Sequence, residues 1–442
     1  MTSPRDPGRR RWNLAVTGTS LVATFIFSVQ EPSAMGSVPV GVTTLVSVSS
    51  DGVQGNGGSS APSLSGSGRY VAFSSYASNL VAGDSNNRPD VFVVDRATGT
   101  TRRVSVSSDE TEGTGEVEAA INPSPTISAD GEHVAFRSDS PNLVPGDTND
   151  VWDVFVRDRA TGTTHRVSVT SRGRQAQGPS DSPVISSHGR FVAFASRAGL
   201  APGANHGAVF VRDRLSRTTR LVSVTIHGGP ANGSSEYPAI SGHGGNVAFY
   251  SEASNLVRGD HNGVGDVFVR EATGVTRRVS VSSAGTGGNG LSSRPAISAH
   301  GRYIAFESVA SNLVPGDTNQ RSDVFVQDLK TGTTRRVSVA SSGSQADGDS
   351  SDAVISSNGR YVAYDSSASN LPAGTDGSRY NVFVRDRWAG TTTLVSAGGD
   401  ADSGGAAFSR DGRHIAFGSA ATNLVTGDAN GFADVFLRRM SR

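Results

Sequence analysis

Residues 297–342 read ISAHGRYIAFESVASNLVPGDTNQRSDVFVQDLKTGTTRRVSVASS, and six further copies of this stretch run through the 442-residue chain. The aromatic anchor of each copy falls at Phe73, Phe136, Phe194, Phe249, Phe306, Tyr364 and Phe417, at spacings of 63, 58, 55, 57, 58 and 53 residues. A period of that size marks a repeat architecture, in which each unit is one supersecondary element that leans on its neighbours. Residues 302–307 alternate, with Tyr303, Ala305 and Glu307 on one face and Ile304 and Phe306 on the other. Residues 323–328 are β-branched and aromatic, and residues 334–339 alternate again. These are strands of period two. A fourth, shorter strand is expected around residues 295–298.

Turn chemistry separates the strands. Ala299-His300-Gly301 stands between the first two, with Ser67-Gly68, Asp130-Gly131, His188-Gly189, Asn358-Gly359 and Asp411-Gly412 as counterparts. Each is expected to place a residue tolerant of positive φ before a glycine, as in a tight hairpin. Lys330-Thr331-Gly332-Thr333 plays the same part between the last two strands. Four antiparallel strands repeated seven times describe an all-β fold, a seven-bladed β-propeller. Phe306 and Phe325 are expected to meet neighbouring blades, and each blade to keep a small core of its own. The seventh copy carries its third strand at residues 434–439, and the "TTRRVSVSS" strand that should follow is found instead as Thr43-Thr44-Leu45-Val46-Ser47-Val48-Ser49-Ser50. Residues 43–50 are therefore expected to supply the outer strand of blade seven and close the ring, removing two open sheet edges.

Forty basic and forty acidic residues give a formal net charge of zero. Nothing in that balance draws the chain to nucleic acid. There is no cysteine, so disulfides and thiol chemistry are excluded. Arg9-Arg10-Arg11 precedes a moderately apolar run, residues 14–29, and small residues at Ala34-Met35-Gly36. Residues 1–36 thus read as a secretory signal peptide, with residues 37–442 as the propeller. Thr17, Gly18, Thr19, Ser20 and Thr24 make the run a poor membrane span. An exported bacterial protein, extracellular or in the cell envelope and monomeric, is the expectation.

The loop between the second and third strands carries Asp-x-Asn-x-x-x-Asp: Asp84, Asn86 and Asp90; Asp147, Asn149 and Asp153; Asp260, Asn262 and Asp266; Asp317, Asn319 and Asp323; Asp428, Asn430 and Asp434. Blade six is degenerate, with Thr375, Gly377 and Asn381, and blade three has lost the pattern. Alternate loops of an antiparallel blade share a face, so the polar entry loops, such as Gln54-Gly55-Asn56-Gly57 and Gln345-Ala346-Asp347-Gly348, should lie beside it. One reading is calcium, a hard cation that takes six to eight oxygens, although the pattern lacks an Asp-x-Asp-x-Asp-Gly run and a closing bidentate Glu. The other is that the Asp side chains bond their own backbone and tie the loop to the next strand. Asp95, Asp158, Asp213, Asp328 and Asp386 precede the Thr-Gly turn and read as turn acceptors. The entry loop of blade two is long and acidic, with Glu110, Glu112, Glu116 and Glu118. No His-Glu-x-x-His or Gly-x-Ser-x-Gly occurs, and no phosphate loop opens a helix.

Ser409-Arg410-Asp411-Gly412-Arg413-His414-Ile415-Ala416-Phe417, followed by Asp434-Val435-Phe436, resembles the WD-like propeller repeat of the TolB type. The resemblance covers about residues 43–439. It implies an exported propeller used for protein or ligand contact. The expectation is a non-enzymatic binding or scaffold module that meets a protein or carbohydrate on one face. The alternative is a carbohydrate-active lyase or glycosidase that gathers carboxylates from several blades in the central channel.

Overall fold

Each copy of the repeat folds into one four-stranded antiparallel sheet. The computed structural model describes residues 41–115, 124–204, 206–372 and 375–440. The expected signal peptide, residues 1–36, lies outside the described residues, as do Glu116 and Glu118. No helix of the described residues is long and apolar enough to cross a membrane. In blade five the strands are Ser292–Ile297, Tyr303–Ser308, Asp323–Asp328 and Thr333–Arg336, and the other six blades repeat this order. The first strand is longer than the sequence pattern suggests, because a bulge between Ser293 and Ala296 breaks its alternation. First strands of adjacent blades lie against one another all the way round and form the wall of a central channel.

The hairpin between the first two strands is tighter in one respect than expected. Gly301 takes φ 71° and its N–H donates to Ser298 O at 2.8 Å, while His300 keeps an ordinary φ. The left-handed position is the glycine alone in all seven hairpins, so the preceding residue needs no tolerance of positive φ. Ser298 Oγ accepts the Tyr303 N–H at 3.0 Å and pins the far side of the turn.

The apolar core lies between blades, which corrects the expectation of a separate core within each. Phe306 and Phe325 stack at 5.9 Å and pack with Ala248, Val267 and Val269 of blade four. The opposite face of blade five, with Ala305, Val324 and Val326, packs against Tyr364 and Phe383 of blade six. Every blade thus offers a ring-pair face to one neighbour and a small, β-branched face to the other. Fully burying one such ring is worth about 2–3 kcal/mol.

Thr43–Leu45 is the fourth strand of blade seven, with Thr43 opposite Arg438, Thr44 opposite Leu437 and Leu45 opposite Phe436. The ladder is shorter than the 43–50 read from sequence. Beyond it, Val46 N still donates to Val435 O at 2.8 Å, and Val48 turns away to bridge Gln54. Val46 is 3% exposed and packs with Phe73 of blade one and Leu437 of blade seven. Val337 is its equivalent inside the ring, also at 3%. Val46→Ala and Val337→Ala should each cost about 2 kcal/mol in urea unfolding. A Val46→Ala cost below a third of the Val337→Ala cost would mean that the closing strand is peripheral to stability.

Candidate functional site

The Asp/Asn loops lie where the sequence places them, beside the entry loop of the next blade. Asn319 Nδ2 donates to Ala346 O at 2.9 Å and to Asp323 Oδ2 at 2.9 Å. Asn86, Asn149, Asn262 and Asn430 make the same two bonds, to Gly113, Ala176, Gly288 and Gly55 and to Asp90, Asp153, Asp266 and Asp434. The second Asp is also held by a serine of the fourth-strand segment, as Ser338 Oγ holds Asp323 Oδ1 at 2.5 Å. Between the two carboxylates sits an arginine. Arg336 Nη1 is 3.0 Å from both Asp317 Oδ1 and Asp323 Oδ2. Arg103 holds Asp84 and Asp90, Arg166 holds Asp147 and Asp153, and Arg278 holds Asp260 and Asp266. The place of a cation is thus taken by a guanidinium in blades one, two, four and five. In blade one, Glu112 joins Arg103 at 2.9 Å, while Glu110 of the same acidic loop pairs with Arg157.

In blades three and six the acid and the arginine are replaced together. Blade three has Ala208 and Leu221, and blade six has Asn381 and Leu394, where blade five has Asp323 and Arg336. Blade seven keeps Asp428 and Asp434 but has Leu45 at the arginine position. There Gln54 Nε2 donates to Asp428 Oδ1 and Asp434 Oδ2, both at 2.8 Å. Asp428 Oδ2 is buried without a partner. No group of three or more His, Asp or Glu side chains among the described residues is arranged to hold a metal ion. Burial, and secondarily the facing Asp90, push Asp84 up to about 6. Asp328, the turn acceptor of blade five, moves the other way. Its bidentate bond from Arg302, at 2.7 and 2.8 Å, holds it down at about 2.

A second set of side chains, unread in the sequence, lines the channel on the face of the Asp/Asn loops. The third residue of the first strand has positive φ in six blades, Ala61, Ser182, Tyr237, Arg294, Asp352 and Gly405, and in blade two Ser124 does so just before the shorter strand Thr126–Ile127. Blades one and seven place small residues there. Blades four to six place a tyrosine, an arginine and a carboxylate. Arg294 Nη1 lies 2.6 Å from Asp352 Oδ1, its Nε lies 3.4 Å from Glu307 Oε1, and its guanidinium covers the Tyr237 ring at 5.3 Å. Glu307 Oε2 accepts the Asp352 N–H at 3.1 Å, and Asp365 Oδ2 accepts the Gly405 N–H at 2.9 Å. Asp365 is 6% exposed and its Oδ1 has no hydrogen-bond partner. Burial, then the neighbouring Asp352, push its carboxyl well up, and burial raises Glu307 too. Where blade three has lost its Asp/Asn loop a hollow of about 410 Å³ opens, lined by Arg197, His206, Ser234, Glu236, Tyr250 and Glu252. The signal that could have found this wall is the column before the Pro of Pro62, Pro183, Pro238 and Pro295. It runs from alanine and serine to tyrosine and arginine while the strand around it repeats.

No protein-family model matches the sequence, and no curated protein is similar to it. Solved structures share its fold. An oligogalacturonate lyase in complex with manganese is 14% identical, covering 88% of this chain and 92% of its own, with a TM-score of 0.55. The β-propeller domain of the Trilobed protease from Pyrococcus furiosus is 12% identical over 86% of this chain and 95% of its own, with a TM-score of 0.53. TolB from Acinetobacter baumannii is 12% identical over 80% and 77%, with a TM-score of 0.41. The structures with TM-scores above 0.5 show that the fold is a propeller.

Two outcomes follow from the clamps. Arg336→Leu strands two buried carboxylates and should cost about 3–5 kcal/mol. Adding Asp317→Thr and Asp323→Asn, the residues that blade six carries, should restore most of it; urea unfolding of the two variants beside the wild type reads this. The unfolded Asp84 titrates near 3.8 and the folded one near 6, so the native state holds the proton more tightly. Its stabilising effect is full below about pH 4 and is lost as pH rises through 6. Asp84→Asn should therefore flatten the fall of stability between pH 4 and 6, and an unchanged slope would place that titration elsewhere.

Proposed function

We propose that this is an exported bacterial binding propeller whose ligand sits at the channel mouth on the face of the Asp/Asn loops. The observation that carries the reading is the break in sevenfold repetition at that mouth. The fold needs a left-handed residue at the third position of each first strand, and glycine meets that need with least strain. Tyr237, Arg294 and Asp352 occupy it instead. Each costs on the order of 1 kcal/mol in backbone strain, so their side chains serve something other than the fold. Export rests on the arginine-led apolar run of residues 9–29. Calcium belongs to the same proposal at one place. In blade seven two carboxylates face an amide with no guanidinium, and the partnerless Asp428 Oδ2 could receive a cation.

A second reading is favoured by Glu307, Asp352 and Asp365, carboxyl groups from neighbouring blades gathered in the channel rather than confined to outer loops. It is an enzyme acting on carbohydrate. Carboxyls from neighbouring strands, with Asp365 and Glu307 pushed up by burial, are the kind of group that glycosidic cleavage uses. Asp365→Asn separates the two readings. A binding module keeps its ligand and shows no turnover in either form, whereas an enzyme loses product formation in the variant. For calcium, thermal unfolding with 1 mM calcium or with chelator should differ in the wild type and converge in Leu45→Arg, which supplies the missing guanidinium. Equal melting temperatures in the wild type would return the blade-seven loop to turn chemistry.

A further inference from the structure

The channel wall and the hollow beside it form one continuous strip. The hollow ends on Tyr250, whose ring lies 6.2 Å from Tyr237. Arg294 covers Tyr237 and binds Asp352, and beyond Asp352 the strip reaches Asp365. In blade seven, next to blade six, the channel edge is bare backbone, Gly404 and Gly405. A Cβ on Gly404 would stand 2.5 Å from Asp365 Oδ2, so any side chain there would press on that carboxyl. The strip therefore offers two aromatic rings, the Arg294 guanidinium and the part-exposed Asp352 carboxyl.

From this strip we infer that the ligand is an oligosaccharide of neutral or amino sugars, held with its rings over Tyr237 and Tyr250 and its hydroxyls on Arg294 and Asp352. The inference rests on the channel-mouth reading above. Three features select the class. A pyranose presents an apolar C–H face that stacks on a tyrosine ring, and the tyrosine keeps a polar tip for the ring's edge. Vicinal hydroxyls both donate and accept, and so suit carboxylates and guanidinium side by side. The hollow of about 410 Å³ falls within the range of small-molecule sites. The charge excludes acidic sugars. Glu236, Glu252, Glu307 and Asp352 face the strip, against Arg197 and Arg294. A polyuronate would add carboxylates to this excess, whereas an amino sugar would relieve it. The strip thus departs from what the oligogalacturonate lyase likeness in fold would suggest.

The test is calorimetric titration of the full chain with oligomers of glucosamine, glucose and galacturonate. Glucosamine oligomers should bind most tightly, glucose oligomers next, and galacturonate oligomers not at all. Tyr237→Ala should weaken binding by about tenfold. Trp388→Ala, an exposed ring on a hairpin at the opposite face, should leave it unchanged. A melting temperature for each variant, with Tyr237→Phe as the conservative control, separates lost contact from lost folding. Preference for galacturonate, or no binding of any oligomer, would overturn the sugar class. Binding that Tyr237→Ala leaves intact would instead overturn the channel-mouth site.

Discussion

A blade of this protein has two apolar faces and cannot bury either alone. Its ring pair, such as Phe306 and Phe325, is covered by the preceding blade, and its Ala305–Val324–Val326 face by the following one. The hydrophobic gain therefore belongs to interfaces, seven of them in a closed ring and fewer in any opened form. The exchange of strands at the closure follows directly. Val46, brought by the first described strand, packs with residues of blades one and seven at once, so the seam is sealed by the same burial that joins every other pair. A stack left open would expose one ring-pair face and one Val-rich face, together with unpaired strand edges.

Charge is handled locally within this apolar frame. The aspartates at the third-strand entry are buried and would be untenable alone. A guanidinium, a serine and an asparagine satisfy them together, and the entry loop of the next blade is drawn in by the asparagine. The exchanges among blades follow from the same physics. An arginine kept without its acids, or acids without the arginine, would leave a buried charge unpaired. Blades three and six changed both partners. Blade seven kept the acids and recruited Gln54, whose amide donates to both but brings no charge.

Much of the fold was legible because the repeat states it seven times. Strand alternation, the turn glycines and the displaced Thr43–Leu45 segment are local patterns with local causes. That Phe306 and Phe325 meet a neighbouring blade was legible, but that no separate core remains within each blade was not. Alternation shows that a strand has two faces, but not whether each face meets its own blade or the next. The Asp/Asn loops were found and their partner was missed for a related reason. Arg336 is distant from Asp317 in sequence and sits in a strand where an arginine looks like an ordinary solvent-facing residue. The channel wall was missed because the bulge at the third residue breaks the alternation that would have announced the strand.

Repetition also gives the functional argument its logic. Where seven copies agree, as at the turn glycines, the shared geometry of the blades is sufficient cause. Where they disagree at one structurally identical position, that geometry cannot be the cause, since it is the same in each. The left-handed position of the first strand is such a place. It is filled by alanine, serine and glycine around part of the ring and by tyrosine, arginine and aspartate around the rest. The bulky residues are also the ones bonded to one another and adjoining the hollow left by the missing loop of blade three. Drift at isolated sites would scatter such residues around the ring. Their confinement to one contiguous arc, with small residues around the rest of the ring, is what a ligand bound off the axis requires.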